Sequence, residues 1–179
     1  MTISAKITVR RVLGKVLSPY LAVARLLLES TMKEILKSNV REISYEGIAL
    51  VGDDQSINYF IEALNALAAN DPSGMSLVRR HLKRIVCSRM RLKRGFIVAT
   101  LFCTPQTVHD IEVGRFSSLI VRYAVLSRLL IGYRMAAVVF YYRRCMKAAL
   151  IREYRSMKRM NCSPDHIREQ EAFLKEVRS

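Results

Sequence analysis

The chain has 179 residues, and its 30 Lys and Arg against 15 Asp and Glu give a formal net charge of +15. Apolar residues make up 51% of the sequence, which excludes a disordered basic tail and predicts a folded chain. The longest stretch without Lys, Arg, Asp or Glu, 95–109, has 15 residues and contains a proline, which excludes a transmembrane helix.

Each proline in the sequence follows a Ser, Thr or Asp, which are residues that cap helices. Proline suits the first position of a helix because its missing N–H would be unpaired there. A preceding Ser, Thr or Asp accepts hydrogen bonds from the free N–H groups of the first turn. The predicted helix starts are Pro19, Pro72, Pro105 and Pro164.

Apolar residues spaced by three and four predict the bodies of the helices. The predicted helices cover 19–38, 53–70, a stretch opening at 77, most of 115–160 with one or two breaks, and a last amphipathic helix over 167–177. In 3–9, by contrast, apolar and polar residues alternate with period two, which indicates a short extended arm that pairs with a neighbouring subunit.

The fold class predicted from these patterns is all-α. We expect a helical bundle of two small helical halves, residues 1–94 and 95–179, with the extended N-terminal arm as an optional addition. Each half would be marginally stable alone, so the halves are expected to pack on each other or on other copies of the chain.

Positive charge is concentrated in the middle of the chain. Neither 72–109 nor 113–152 contains an acidic residue, and each carries 8 Lys or Arg. Such a concentration indicates an anionic partner, of which nucleic acid is the commonest and a negatively charged membrane surface the next. The alternative is that the charge serves solubility only.

A helical wheel through residues 78–94 separates apolar from basic positions. Val78, Leu82, Ile85 and Leu92 fall on one side at 100° per residue, and basic residues fall on the opposite side. A line of charges along about 20 Å of helix suits a polyphosphate backbone, whereas the plain alternative is a solvated helix face. The candidate RNA-binding residues on this face are Arg79, Arg80, Lys83, Arg84, Arg91 and Arg94.

The second basic stretch is apolar on most sides of its helical wheel. That pattern is typical of a helix buried in a bundle or a subunit interface, so its arginines need partners and are expected to line a groove, a channel or a ring surface. Arg115, Arg122, Arg128 and Arg134 recur along it. The sequence adds three further candidate RNA-binding residues, which are Arg143, Arg144 and Lys147.

Motifs for catalysis or cofactor binding are absent from the sequence. It contains no phosphate-binding loop, no dinucleotide-binding fingerprint and no nucleophile elbow, so we expect a protein that is not an enzyme and takes no cofactor. Cys87, Cys103, Cys145 and Cys162 lack the spacing of a zinc site, so no metal is expected and the thiols should be reduced in a cytoplasmic protein. The acid-free residues 1–28 leave mitochondrial import as an alternative.

In size, helical pattern and acid-free centre the chain resembles the small RNA-silencing suppressors of closteroviruses. The resemblance extends over the whole chain and is most suggestive at Val78-Arg79-Arg80 and over 89–94. It implies a homo-oligomeric ring of helical subunits in the host cell cytoplasm that binds double-stranded RNA without sequence preference. Two other classes stay open: a viral matrix-type protein on an anionic membrane, and a helical component of a ribonucleoprotein.

Overall fold

The structure is a computed structural model that describes Ser30 and residues 40–88, 99–133 and 138–176, without the side chains of 130–144. The strands of this part of the chain are β1 (Arg41–Tyr45), β2 (Ile48–Gly52), β3 (Arg84–Cys87) and β4 (Thr100–Cys103). The helices are α1 (Asp54–Asn70), α2 (Pro72–His81), α3 (Pro105–Asp110), α4 (Val113–Tyr133), α5 (Val138–Arg159) and α6 (Pro164–Glu176).

The predicted all-α bundle is wrong, because the chain forms an α/β fold with a four-stranded mixed sheet. The physical reason is the shortness of the strands, which have four or five residues each. A short apolar run does not reveal by its periodicity whether it is strand or helix. Ile85 in β3 also fits the helical spacing from Val78 and Leu82, and this coincidence produced the error.

The sheet has the order β1-β2-β3-β4. β1 and β2 form an antiparallel hairpin, whereas β2, β3 and β4 run parallel to one another. The hairpin turns at Glu46 and Gly47, whose φ angles are 53° and 76°. Two consecutive positive φ values are the requirement of the turn that best matches the twist of a hairpin, and glycine meets it without strain.

The main core lies between one face of the sheet and helices α1, α2 and α4. Its sheet residues include Ile48, Leu50, Ile85, Cys87, Leu101 and Cys103. Phe60 of α1 stacks on Phe116 of α4 in this core, with ring centroids 5.7 Å apart. The alternate residues Val51 and Val86 point to the other face, where they pack with Val40 and Phe102.

The capped helix starts are confirmed wherever the structure describes them. Asp71, Thr104 and Ser163 each accept a hydrogen bond from the backbone N–H three residues on, and the proline that follows opens the helix. Asp53 caps α1 in the same way, with its Oδ1 2.8 Å from the N of Ser56. The prediction of helical structure over 115–160 is confirmed by α4 and α5, and that of a last amphipathic helix by α6.

Several predictions fall on residues outside the described part of the chain. They concern the extended arm at 3–9 and the helix over 19–38, of which only Ser30 is described. The division into halves 1–94 and 95–179 stays a prediction. In the part of the chain that the structure describes, no helix combines the length and the apolar character needed to cross a bilayer.

Candidate functional site

The helix that was predicted to carry the RNA-binding face ends earlier than the sequence suggested. α2 stops at His81, and Leu82 takes an extended conformation with φ −107° and ψ 130°. The backbone N–H groups of Lys83 and Arg84 then both donate to the carbonyl of Ala99, at 2.8 and 3.1 Å. This pairing draws the chain into β3, so one continuous helical face over 78–94 is wrong.

The predicted site residues are therefore distributed over different elements. Arg79 and Arg80 occupy the last turn of α2, Lys83 follows the helix, and Arg84 begins β3. Arg91 and Arg94 lie outside the described residues. Arg143, Arg144 and Lys147 belong to α5, where Lys147 is half-buried and only the backbone of the other two is described.

Two of the predicted cations are paired with glutamates of the β1–β2 hairpin. The guanidinium of Arg79 lies 2.7 Å from Oε2 of Glu46, and that of Arg84 lies 3.5 Å from Oε1 of Glu42. These are partly exposed ion pairs, which contribute little to stability but compete with an external phosphate for the same guanidinium. Arg79 and Arg84 are consequently weaker candidates than their neighbours.

Arg80 and Lys83 come together with two residues from other positions to form what we term the basic cluster: Arg80, His81, Lys83 and Arg128. Two hydrogen bonds link the backbone of Lys83, through Ala99, to α4. The N–H of Lys83 donates to the carbonyl of Ala99 at 2.8 Å, and the N–H of Ala99 donates to Oγ of Ser127 at 3.2 Å. Arg128 follows Ser127 directly in α4, and its charge acts on the imidazole of His81 at the end of α2.

The pKa of His81 is affected by its burial and by the positive charges around it. It is lowered from its ordinary value of 6.5, first by desolvation and then by the charges of Arg128, Arg80 and Lys83. The imidazole is therefore neutral at pH 7, while its three neighbours keep their charges. The side chains of these three neighbours are exposed, and in the described part of the chain none of them forms an ion pair with a carboxylate.

Most of the other described arginines do have carboxylate partners. The pairs are Arg41–Asp54, Arg115–Glu169, Arg122–Glu153, Arg168–Asp165, and both Arg152 and Arg159 with Asp71. The expectation that arginines in the second basic stretch need partners is thus confirmed for Arg115 and Arg122. Arg128 differs from them because it meets other cations instead, and this makes the basic cluster electrostatically distinctive.

In the sequence, Arg128 is one of a series of arginines and is not among the predicted site residues. Its proximity to Lys83 depends on the pairing of β3 beside Ala99, and an assignment of 82–87 to helix concealed that contact. Among the described residues, no group of three or more His, Cys, Asp or Glu side chains is arranged to hold a metal ion.

Comparison with known proteins gave no match to a family model, to a curated protein or to a solved structure. The all-helical fold that the resemblance to closterovirus suppressors implied is corrected by the sheet.

Proposed function

We propose that this protein binds RNA through the phosphate backbone, without sequence preference, and that the basic cluster is part of the contact surface. The observation that carries the proposal is three exposed cations, Arg80, Lys83 and Arg128, gathered on one surface without carboxylate partners among the described residues. Gathering like charges costs electrostatic energy, and a bound polyanion offsets that cost.

The chemistry of the cluster suits phosphodiesters in particular. Guanidinium groups donate two parallel hydrogen bonds to phosphate oxygens, and a lysine adds a mobile point charge. Phosphate contacts fix the position of a nucleic acid without reading its bases. His81, kept neutral by its surroundings, adds a hydrogen-bonding group without adding to the repulsion.

The remaining parts of the proposal rest on the resemblance to viral silencing suppressors and on the net charge of +15. We propose double-stranded RNA as the preferred form, an assembly of several copies as the binding unit, the host cytoplasm as the location, and a role that needs neither cofactor nor catalysis. Repetition of a small cationic site around an assembly strengthens binding through effective concentration.

Reversal of the three cluster charges tests the proposed site. The variant Arg80→Glu/Lys83→Glu/Arg128→Glu is expected to bind a short RNA duplex about 100-fold more weakly at moderate salt, whatever its sequence, because three phosphate contacts become repulsive. Filter binding over a range of NaCl concentrations provides the measurement. The slope of log affinity against log salt should become shallower by about 2 to 3 for each subunit engaged.

A control with the same change of charge combines Arg155, Arg168 and Lys175, which are exposed residues of α5 and α6. Of the three, Arg168 differs from the cluster cations because it pairs with Asp165. α6 lies near the start of α4, where Arg115 pairs with Glu169, and Arg128 is 13 residues further along, about 20 Å away. Their reversal to Glu should weaken binding less than about fivefold, by general electrostatics alone. Equal losses in the two triple variants would mean that net charge attracts RNA without this site.

Competition experiments separate the classes of polyanion. Short RNA duplexes are expected to displace a labelled duplex at lower concentration than single strands of the same length. Vesicles with acidic lipid are expected not to displace it. Vesicle binding that survives excess RNA would instead favour a membrane-surface protein.

A further inference from the structure

The two cysteines that end β3 and β4 lie side by side. Cys87 and Cys103 are register partners in the parallel pair, and the ladder continues past them with the N–H of Ser88 donating to the carbonyl of Cys103 at 3.1 Å. Neighbouring strands are about 4.8 Å apart, which is inside the Cα–Cα range of about 4.4 to 6.8 Å that a disulfide requires. Both side chains point to the same face of the sheet, into the main core.

The surroundings of the two thiols are different. Cys87 lies near the first turn of α1, because Cys87 and Ser56 of that turn are both close to Gly52. A methyl group placed on Gly52 would lie 3.1 Å from the Cβ of Ser56 and 3.3 Å from the Cβ of Cys87. The thiol of Cys103 instead donates to a backbone group, with its Sγ 3.4 Å from the carbonyl oxygen of Val86. Both are reduced and nearly buried, with exposed fractions of 4% and 8%.

These surroundings give the two thiols different acidities. The pKa of Cys87 is lowered, first by hydrogen bonding with the neighbouring Cys103 thiol and also by hydrogen bonding with Ser56, against the opposing effects of burial and of Asp53. The pKa of Cys103 is raised by the same hydrogen bond and by burial. Cys87 is therefore the more acidic thiol of the pair, and Cys103 retains its proton more strongly.

We infer that Cys87 and Cys103 form a redox-active dithiol that a small hydroperoxide converts to an intramolecular disulfide. The Cys87 thiolate attacks the peroxide, the O–O bond breaks, a sulfenic acid forms and hydroxide or alkoxide leaves. The Cys103 sulfur then attacks the Cys87 sulfur, the S–O bond breaks, and water leaves with the Cys103 proton. Two thiols lose two electrons in total, which the peroxide accepts. This dithiol is independent of RNA binding.

The other two cysteines supply an internal control. Cys145 lies in α5 and Cys162 follows it, and the helix between Cys145 and Arg159 alone spans about 20 Å. They are too far apart to join, although they are buried like the first pair. Any difference in behaviour between the two pairs is therefore due to geometry and acidity rather than to burial.

The test compares Cys145→Ala/Cys162→Ala, which keeps only the proposed pair, with Cys87→Ala/Cys103→Ala, which keeps only the distant pair. Both folded variants are treated with hydrogen peroxide, and their free thiols are counted against time. The first variant should lose both thiols together, remain a monomeric chain on non-reducing gels, and recover both with dithiothreitol. The second should lose its thiols at least about tenfold more slowly and form no internal disulfide.

Peptide mapping of the unmodified protein keeps the test valid if a variant fails to fold. A tryptic peptide containing Cys87 should appear linked to one containing Cys103 after oxidation.

Ser56 is a positioning residue, so Ser56→Ala should shift the pH profile of the oxidation rate to higher pH, whereas Ser56→Thr should restore it. Equal reactivity of all four thiols, or Cys87 and Cys103 ending as separate sulfinic acids, would overturn the inference.

Discussion

Asp71 is a buried aspartate that accepts hydrogen bonds from several groups. Its side chain is 0% exposed, yet it caps α2 through Gly74 and accepts hydrogen bonds from Arg152 at 3.1 Å and from Arg159 at 2.5 Å. Burial alone would raise its pKa, but the hydrogen bonds from Arg152, Arg159, Ser73 and Gly74 outweigh burial and hold the pKa well below 3.8. Asp71 is therefore ionised in the folded protein and ties α2 to α5.

Asp71→Asn is expected to lower the free energy of unfolding by about 2 to 3 kcal/mol at pH 7, because the two arginines lose their counter-charge. The pKa of Asp71 is depressed in the folded state, so its contribution is present above about pH 4 and is lost as the pH falls below that value. Urea denaturation at pH 7, 5 and 3 measures this. The difference between the two proteins should be constant from pH 7 to 5 and should narrow at pH 3; a difference that persists unchanged at pH 3 would contradict the assignment.

The sequence predicts that Asp71 caps a helix, but it does not predict the contacts of Asp71 with two arginines. Asp71 followed by Pro72 is a local helix-start signal, and the structure confirms it. Arg152 and Arg159 lie 81 and 88 residues further along, and no local pattern links them to Asp71. The same limit applies to the basic cluster, whose members are separated in sequence and meet only through the sheet.

At the scale of elements, helices were predicted well and strands were not. Helix starts depend on neighbouring residues, such as a capping side chain and the proline after it, so they can be read locally. A strand is stabilised by its partner strands, and β3 pairs with β2 on one side and β4 on the other. The sequence of β3 alone, Arg84–Cys87, does not contain that information.

The three long helices that follow the sheet are joined by a buried polar contact. Glu153 of α5 accepts hydrogen bonds from Arg122 of α4 at 3.1 Å and from Gln170 of α6 at 3.0 Å. Burial raises the pKa of Glu153, and the charge of Arg122 only partly opposes that rise. The contact fixes how α4, α5 and α6 pack but adds less stability than its geometry suggests.

Gly74 in α2 offers a test of helix packing. An alanine in a helix usually stabilises it by about 1 kcal/mol relative to glycine. Here the added Cβ would lie 2.5 Å from Oδ2 of Asp71 and 3.1 Å from Cγ2 of Val121. Gly74→Ala is therefore expected to destabilise the protein by about 1 to 3 kcal/mol in urea denaturation, because the cap must move.

The control for Gly74→Ala is an exposed position of the same helix. Ser76 is exposed, so Ser76→Ala should leave the free energy of unfolding unchanged or raise it by up to about 0.5 kcal/mol. If Gly74→Ala also stabilised the protein, the close packing of α2 against Asp71 and α4 would be wrong.

At the scale of the whole molecule, a net charge of +15 makes the folded state repel itself. Ion pairs such as Arg115–Glu169 and Arg122–Glu153 relieve that repulsion locally, whereas the basic cluster adds to it. The acid-free centre was evident from the sequence. It did not reveal which cations are neutralised internally, since that depends on the tertiary fold.

Salt should therefore stabilise the protein. Raising NaCl from 50 to 500 mM is expected to raise the thermal midpoint by about 2 to 4 °C, because screening weakens the repulsion between exposed cations. The triple variant Arg80→Glu/Lys83→Glu/Arg128→Glu should show a smaller increase. Thermal denaturation followed by circular dichroism checks both expectations, and a midpoint that falls with salt would indicate that attractive ion pairs dominate instead.

The position of β1 at the end of the described sheet has a consequence for self-association. β1 carries Arg41 and Glu42, both exposed, and its outer edge has no neighbour among the four strands that the structure describes. Charged side chains at such an edge discourage another molecule from adding its own strand there. Strand addition by another molecule at β1 is therefore disfavoured, and concentrated solutions should resist conversion into amyloid-like fibres through this edge.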